Sequence, residues 1–372
     1  MEERKLLKDD PVLKEMFDTL ATAREEIRPS KFWEMQNKKN MEQLDSKGFE
    51  NFKRTVSLNY FTWIMSLGNS QMRFLRKNLP VHTVAKCNIM ALVGPRHKNI
   101  SWESKDGVFE DLPWKVATTY NAFMFMLWEY AMKSVPQVLE QVDEPELGNP
   151  FDIRYRGRLI TQDLANSALE YDSIMSADID RSKIKTVMEL SGGYGRTSFV
   201  FAKMMPDAKY ILVDIPPALY LAQRYFSEVF PDKKIFKFRK FSNFAEVRDE
   251  FEKADFVFLM PSQMELLPDN IADLTFTISS LQEMTHPQIR YYFKEIERLT
   301  STYFYLKQWK RWENTTDNIV VKEEDYPVPE NWDQIYRREC RVQTEFFEAL
   351  YRVHKEPNEK AENKPATTES GL

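Results

Sequence analysis

From Pro11 to about Ser134 the apolar positions recur at spacings of three and four, the period of a helix with one buried face. Leu13, Met16, Phe17 and Leu20 make the first such face, and Pro29 to Trp33 starts another helix with Ser30 as N-cap and Glu34 in its first turn. Tyr60, Trp63, Ile64 and Leu67 repeat the spacing, as do Tyr120, Phe123, Met124 and Leu127. These aromatic and methionine stripes are read as core packing between helices. Residues 135–150 hold Pro136, Pro145, Gly148 and Pro150 among acids and read as a linker. Arg154, Arg156 and Arg158 alternate, which on an extended backbone puts them on one side, and a helical run follows from Thr161 to Ile174.

At Lys185 the period changes. Thr186–Leu190 and Tyr210–Ile215 read as buried strands separated by a helix over Arg196–Met205. Pro216-Pro217 suits the start of a further helix over Ala218–Val229. More strands are expected at Phe256–Met260, Leu274–Ser279 and Tyr303–Leu306, with helices over Phe244–Glu252 and Pro287–Leu299. Strand and helix in alternation make an α/β fold: a parallel sheet covered on both faces. Ile335–Arg341 and Phe346–Val353 are expected to close it as an antiparallel pair, and residues 356–372 to form a disordered tail.

Composition narrows the class. The 372 residues suffice for roughly two domains, and 42% apolar content can fill a core. A net charge of −5 argues against a general nucleic-acid binder. Cys87 and Cys340 are too few and too far apart for a disulfide framework or zinc site, which fits a reducing compartment. The charged first ten residues are unlike a signal peptide, and no apolar run is long enough to span a membrane. A soluble cytoplasmic protein is expected.

Glycine is scarce, yet three of the ten fall at positions 192, 193 and 195, directly after the first strand. Glycine is needed where φ is positive or where a ligand approaches closer than a Cβ allows. In an open parallel sheet, ligands bind at the carboxyl ends of strands where the strand order reverses. Asp214, 25 residues after Glu189, ends the second strand at that crevice and can accept from both hydroxyls of a ribose. A dinucleotide turn wants Gly-x-Gly-x-x-Gly spacing, which Gly193, Gly195 and Ser198 meet imperfectly. Glu189 would repel a pyrophosphate, but it suits the ammonium and cationic sulfur of S-adenosylmethionine. Charge sign favours the sulfonium cofactor.

The run from Val187 to Gly195, followed by Tyr210 to Pro217, resembles the first two motifs of class I S-adenosylmethionine-dependent methyltransferases. Leu159 to Gln162 with Asn166 and Glu170, Ile278 to Met284, and Tyr303 to Trp309 bring it closer to a bacterial family of sugar O-methyltransferases. The likeness covers roughly residues 150–353, with an echo at Gly48 to Lys53. It implies a Rossmann-like fold, with a mostly parallel seven-stranded sheet over residues 151–355, preceded by a helical region over 1–150. It also implies that Glu189, Ser191, Gly192, Gly193 and Gly195 hold the methionine end, and Asp214 with Ile215 the ribose. Pro261, Ser262 and Gln263 would lie beside the adenine. Ser191 stands where the wider pattern has glycine, implying a slightly different backbone there.

Transfer to a sugar hydroxyl needs an aligned acceptor and removal of its proton. Glu283 and His286, after the fourth strand, are the candidate bases, and no convergent acid pair supports a divalent metal beside Glu283. Lys307 and Trp309, in a run of cations and indoles after the fifth strand, suit a sugar ring with a neighbouring diphosphate. The helical half either packs over the crevice or forms a homodimer face; in the former case Arg158 and Gln162 reach cofactor or acceptor. The expected activity is S-adenosylmethionine-dependent methylation of a free or carrier-linked sugar in surface-polysaccharide or glycoconjugate synthesis. A nicotinamide-dependent oxidoreductase and a non-catalytic scaffold of the same fold are the rivals.

Overall fold

Strand and helix begin to alternate at Thr186, where the period changes. In the computed structural model, which describes residues 9–55, 70–93, 101–103, 109–111 and 114–355, the main sheet comprises eight strands. They are β1 (Thr186–Leu190), β2 (Lys209–Val213), β3 (Ile235–Phe236), β4 (Phe256–Leu259), β5 (Ala272–Ile278), β6 (Thr300–Trp309), β7 (Asp333–Glu339) and β8 (Phe346–Arg352). Their order is β7-β8-β6-β5-β1-β2-β4-β3. Pairings from β3 across to β6 are parallel, while β8 runs antiparallel to both β6 and β7. This is the class I methyltransferase arrangement with one strand more than expected. The extra strand, β3, is two residues long at the edge, too short to leave a periodic signal.

The principal helices are α1 (Pro11–Ala21), α2 (Lys31–Lys47), α3 (Ser70–Asn78), α4 (Val81–Val93), α5 (Trp114–Ser134), α6 (Gln162–Met175), α7 (Arg196–Met204), α8 (Ala218–Val229) and α9 (His286–Leu299). Successive strand residues point to opposite faces. Val187, Tyr210 and Leu212 therefore join one core, and Met188, Ile211 and Val213 the other. Leu13, Met16, Phe123 and Leu127 belong to the first of these, so the helical region packs on one sheet face as a continuation of its core. Tyr120, Phe123, Met124 and Leu127 are buried as their spacing predicts. Tyr60, Trp63, Ile64, Leu67, the residues before Asp9 and the tail 356–372 lie outside the described residues.

Several local expectations change. Residues 135–150 are no slack linker: Val135, Val138, Leu139 and Val142 are fully buried, with Pro136 opening a short helix. Apolar side chains outweigh the prolines there. Arg154 and Arg158 do not share an extended strand, because Arg156 (φ 52°) and Gly157 (φ 83°) turn the chain into a two-residue hairpin. The helix expected over Phe244–Glu252 is broken into a 3-10 turn, Phe244–Glu246, and a short helix, Arg248–Lys253. β6 runs on through Trp309, and a hairpin of Arg311–Asn314 with Ile319–Lys322 follows it. No helix of the described residues is long and apolar enough to cross a membrane.

Candidate functional site

In the parallel register Leu190 pairs with Val213 on one side and Thr277 on the other. The chain therefore brings Ser191, Asp214 and the Ile278-Ser279 step level with one another at the carboxyl edge. The strand order reverses at β1, since β2 and β4 lie to one side and β5 to the other. That crevice is where α/β sheets take ligands.

Each glycine of the turn has a separate reason. A Cβ on Gly192 would lie 2.4 Å from Cδ of Glu189, so this glycine lets the backbone close over the acid. Gly195 (φ 82°) precedes α7, and a Cβ there would meet Phe226 at 2.6 Å and Leu212 at 2.8 Å. Gly193 (φ 63°) has nothing within 4 Å of a Cβ and borders open crevice. Ser191 does not alter the backbone as its departure from glycine suggests: it holds φ 57°, the left-handed region, with its N–H on the Val213 carbonyl at 2.7 Å. Ser279, at the end of β5, takes φ 55° in the same way. A left-handed non-glycine costs on the order of 1 kcal/mol, and two such serines line this one crevice.

Three carboxyls lie at this edge. Asp214 is 9% exposed, and each of its oxygens accepts one backbone hydrogen bond, from Gly193 N at 2.8 Å and Ile215 N at 2.7 Å. Burial pushes it up to about 7 against those two bonds. Glu189 is buried beneath the turn, accepting from Ser198 N at 3.2 Å. Burial raises it to about 7, with Ser198 and Arg196 pulling the other way. Glu283, in the 3-10 turn Leu281–Glu283 after β5, is 8% exposed and is raised to about 8 by burial, with the charge of Asp214 acting in the same sense.

The crevice has a roof from the helical region. Ile27, Pro29, Ser30, Phe32, Trp33, Gln36 and Asn40 face Ser191, Gly193, Asp214, Ile215 and Ala218 on one side, and Ser279, Ser280, Glu283, Met284, Gln288 and Tyr292 on the other. Ser30 caps α2, accepting from Trp33 N, and donates to the Glu283 carbonyl, both at 3.4 Å. Asp317, in the hairpin after β6, accepts from Lys31 N and Phe32 N at 3.0 Å each. Gln288 donates to the Arg28 carbonyl at 2.7 Å. The start of α2 is thus fastened directly to the β5–α9 connection.

The other anticipated residues lie elsewhere. His286 opens α9 half-buried and is not among the crevice residues. Pro261, Ser262 and Gln263 follow β4 but stay outside the lining; Gln263 instead ties Met260 N to the Arg239 carbonyl. Gln162 borders a separate small cavity with Lys53, Tyr120 and Glu144. Arg158 pairs with Asp143 at 2.7 Å on the surface. Lys307 is not presented to a ligand: it is buried, donating to Glu170 at 2.7 Å and to Gln343 at 2.5 Å. Trp309 packs on Trp312 and Phe346.

Sequence reasoning missed the roof residues and the buried network at Glu170. That carboxylate also receives both guanidinium nitrogens of Arg196, at 2.6 and 3.0 Å, and the Thr197 hydroxyl at 2.9 Å. Burial opposes its charge, but Arg196 and Lys307 hold it down at about 2. The network pins the first residues of α7, and with them the glycine turn, to α6 and β6.

No family model matches the chain, and no curated protein sequence matches it. Among solved structures, an S-adenosylmethionine-dependent methyltransferase from Aquifex aeolicus is 14% identical, covering 46% of this chain and 83% of its own, with a TM-score of 0.32. One from Clostridium acetobutylicum is 13% identical over 51% of this chain and 98% of its own, TM-score 0.32. One from Leishmania major is 13% identical over 51% and 72%, TM-score 0.34. Likeness at this level carries no argument, and the fold assignment rests on the strand order itself.

Proposed function

We propose that the chain is an S-adenosylmethionine-dependent O-methyltransferase whose acceptor is an uncharged sugar hydroxyl. The observation that carries this reading is the pair of buried acids, Glu189 and Asp214, at the ends of adjacent strands around a glycine turn that is open at Gly193. The residues fit the cofactor. Asp214 spends one hydrogen bond on each oxygen, and a carboxylate has about four acceptor sites, so it can still take a pair of ribose hydroxyls. Two acids raised toward neutrality by burial favour a ligand that brings positive charge and disfavour a pyrophosphate. When bound, the cofactor supplies an electrophilic methyl group.

The remaining work belongs to the chain. Glu283 faces the crevice from the β5 side, where it can take the acceptor's proton; its raised value suits a base working near neutral pH. Phe32, Trp33 and Tyr292 offer apolar faces, and Gln36, Gln288 and Ser280 offer hydrogen-bonding groups. The described lining includes no lysine or arginine, so nothing in it would pair with a phosphate. This favours the neutral ring over the diphosphate expected beside Lys307.

Isothermal titration with S-adenosylhomocysteine and with NAD tests the cofactor. Binding of the first alone is expected, and binding of NAD alone would sink the proposal. Release of S-adenosylhomocysteine should then be faster with neutral glycosides than with the corresponding sugar phosphates.

A further inference from the structure

We infer that Asn40, carried on α2 of the helical region, is a hydrogen-bonding contact to the bound cofactor, so that the site is incomplete without the N-terminal helices. The inference rests on the cofactor reading above. Asn40 is 7% exposed, lines the crevice, and its side chain has no hydrogen-bond partner among the described residues. The amide is not sealed off from the crevice, so its two donors and its acceptor are available to a ligand there.

Its place along α2 says which ligand. Trp33, Gln36 and Asn40 fall at i, i+3 and i+7, one stripe of the helix. At its start the helix sits on the β5 side, with Ser30 on the Glu283 carbonyl. Past its end, Phe49 lies under Arg224 of α8 at 4.0 Å, and Phe52 packs on Tyr194 of the glycine turn at 5.1 Å. Travelling along α2 therefore means crossing from the acceptor end of the crevice to the glycine turn. At about 1.5 Å per residue, Asn40 lies roughly 15 Å beyond Ser30. That places it on the side where Gly193, Asp214, Ile215 and Ala218 make the floor, away from Glu283. Trp33 is left at the acceptor end.

The amide is complementary to a nucleoside, which presents donors and acceptors together. Asn37, three residues earlier on α2, is also buried but lines the groove between α1 and α2, whereas Asn40 lines the crevice.

The test is titration of S-adenosylhomocysteine into the full-length protein and its Asn40→Ala and Asn40→Ser variants, with melting of each unliganded protein alongside. The expected result is affinity weakened about ten-fold in Asn40→Ala, less in Asn40→Ser, with Tm unchanged, because the amide makes no hydrogen bond within the unliganded protein. Affinity within two-fold of wild type in both variants overturns the inference. So does a fall in Tm that accompanies the loss, since Asn40 would then be structural. Failure of the wild type itself to bind S-adenosylhomocysteine would instead refute the cofactor reading, a result distinguishable before any variant is made.

Discussion

Glu283 stands out at the residue scale because its environment opposes ionisation on the side of the crevice where an acceptor would lose its proton. Burial is the main cause, and Asp214 adds like charge; Gln282 and Trp33 only partly offset them. The group is mostly protonated at pH 7, and its basic form grows as pH rises through about 8. If it takes the acceptor's proton, the transfer rate should climb with pH and level off above about 8. Glu283→Gln should lose about 10²–10⁴ in rate and flatten that profile, while S-adenosylhomocysteine affinity stays close to wild type. A variant with an unchanged rate would make Glu283 a shape-giving residue only. Its position after the fourth principal strand was legible in the sequence, as were Glu189 and Asp214. Its partner Trp33 was not, because 250 residues separate them and only the fold joins them.

At the scale of elements, packing of the helical half over the crevice was one of two sequence expectations, and α2 explains why the residues that do it escaped a reading based on apolar periodicity. Its buried residues are Asn37, Asn40, Gln43 and Leu44. A helix whose inward stripe is amide leaves no apolar pattern to find, although its N-cap, Ser30, was plain. The hairpin carrying Asp317 was likewise invisible, being two four-residue strands inside a charged run. Asp317 accepts from two otherwise unpaired N–H groups at the start of α2, where a negative charge also suits the helix dipole. Asp317→Ala should cost about 1 kcal/mol and lower Tm by a degree or two, measured by calorimetry. S-adenosylhomocysteine affinity should fall less than in Asn40→Ala, since Ser30 still caps the helix. An unchanged Tm would mean that the start of α2 is held by other contacts.

For the whole molecule, the change of period at Lys185 sufficed to foresee the alternating sheet, because its buried parallel strands are short apolar runs bounded by glycine and proline turns and separated by longer helical runs. The division at residue 150 hid that the helical region shares a core with one sheet face. Burial is what lifts the acids at this edge of the sheet, so overall stability should carry their signature. Glu189, Asp214 and Glu283 have folded values of about 7, 7 and 8, above their ordinary ones. Their contribution is therefore fully present below the ordinary carboxylate range and is lost as pH rises through 7 to 8. Glu170, held at about 2, acts oppositely: its contribution is present above the ordinary value and disappears as pH falls toward 2. The unliganded protein should accordingly melt at a higher temperature at pH 6 than at pH 8.5. The double variant Glu189→Gln with Asp214→Asn should lessen that difference, and Glu170→Gln should instead soften the acid limb. A ligand bearing an ammonium group compensates the ionised acids, so S-adenosylhomocysteine should raise Tm more at pH 8.5 than its saturation at pH 6 does. Equal shifts at the two pH values would mean that the ligand's charge is not sensed by Glu189 and Asp214, and the electrostatic basis for choosing this cofactor over a dinucleotide would fall with it.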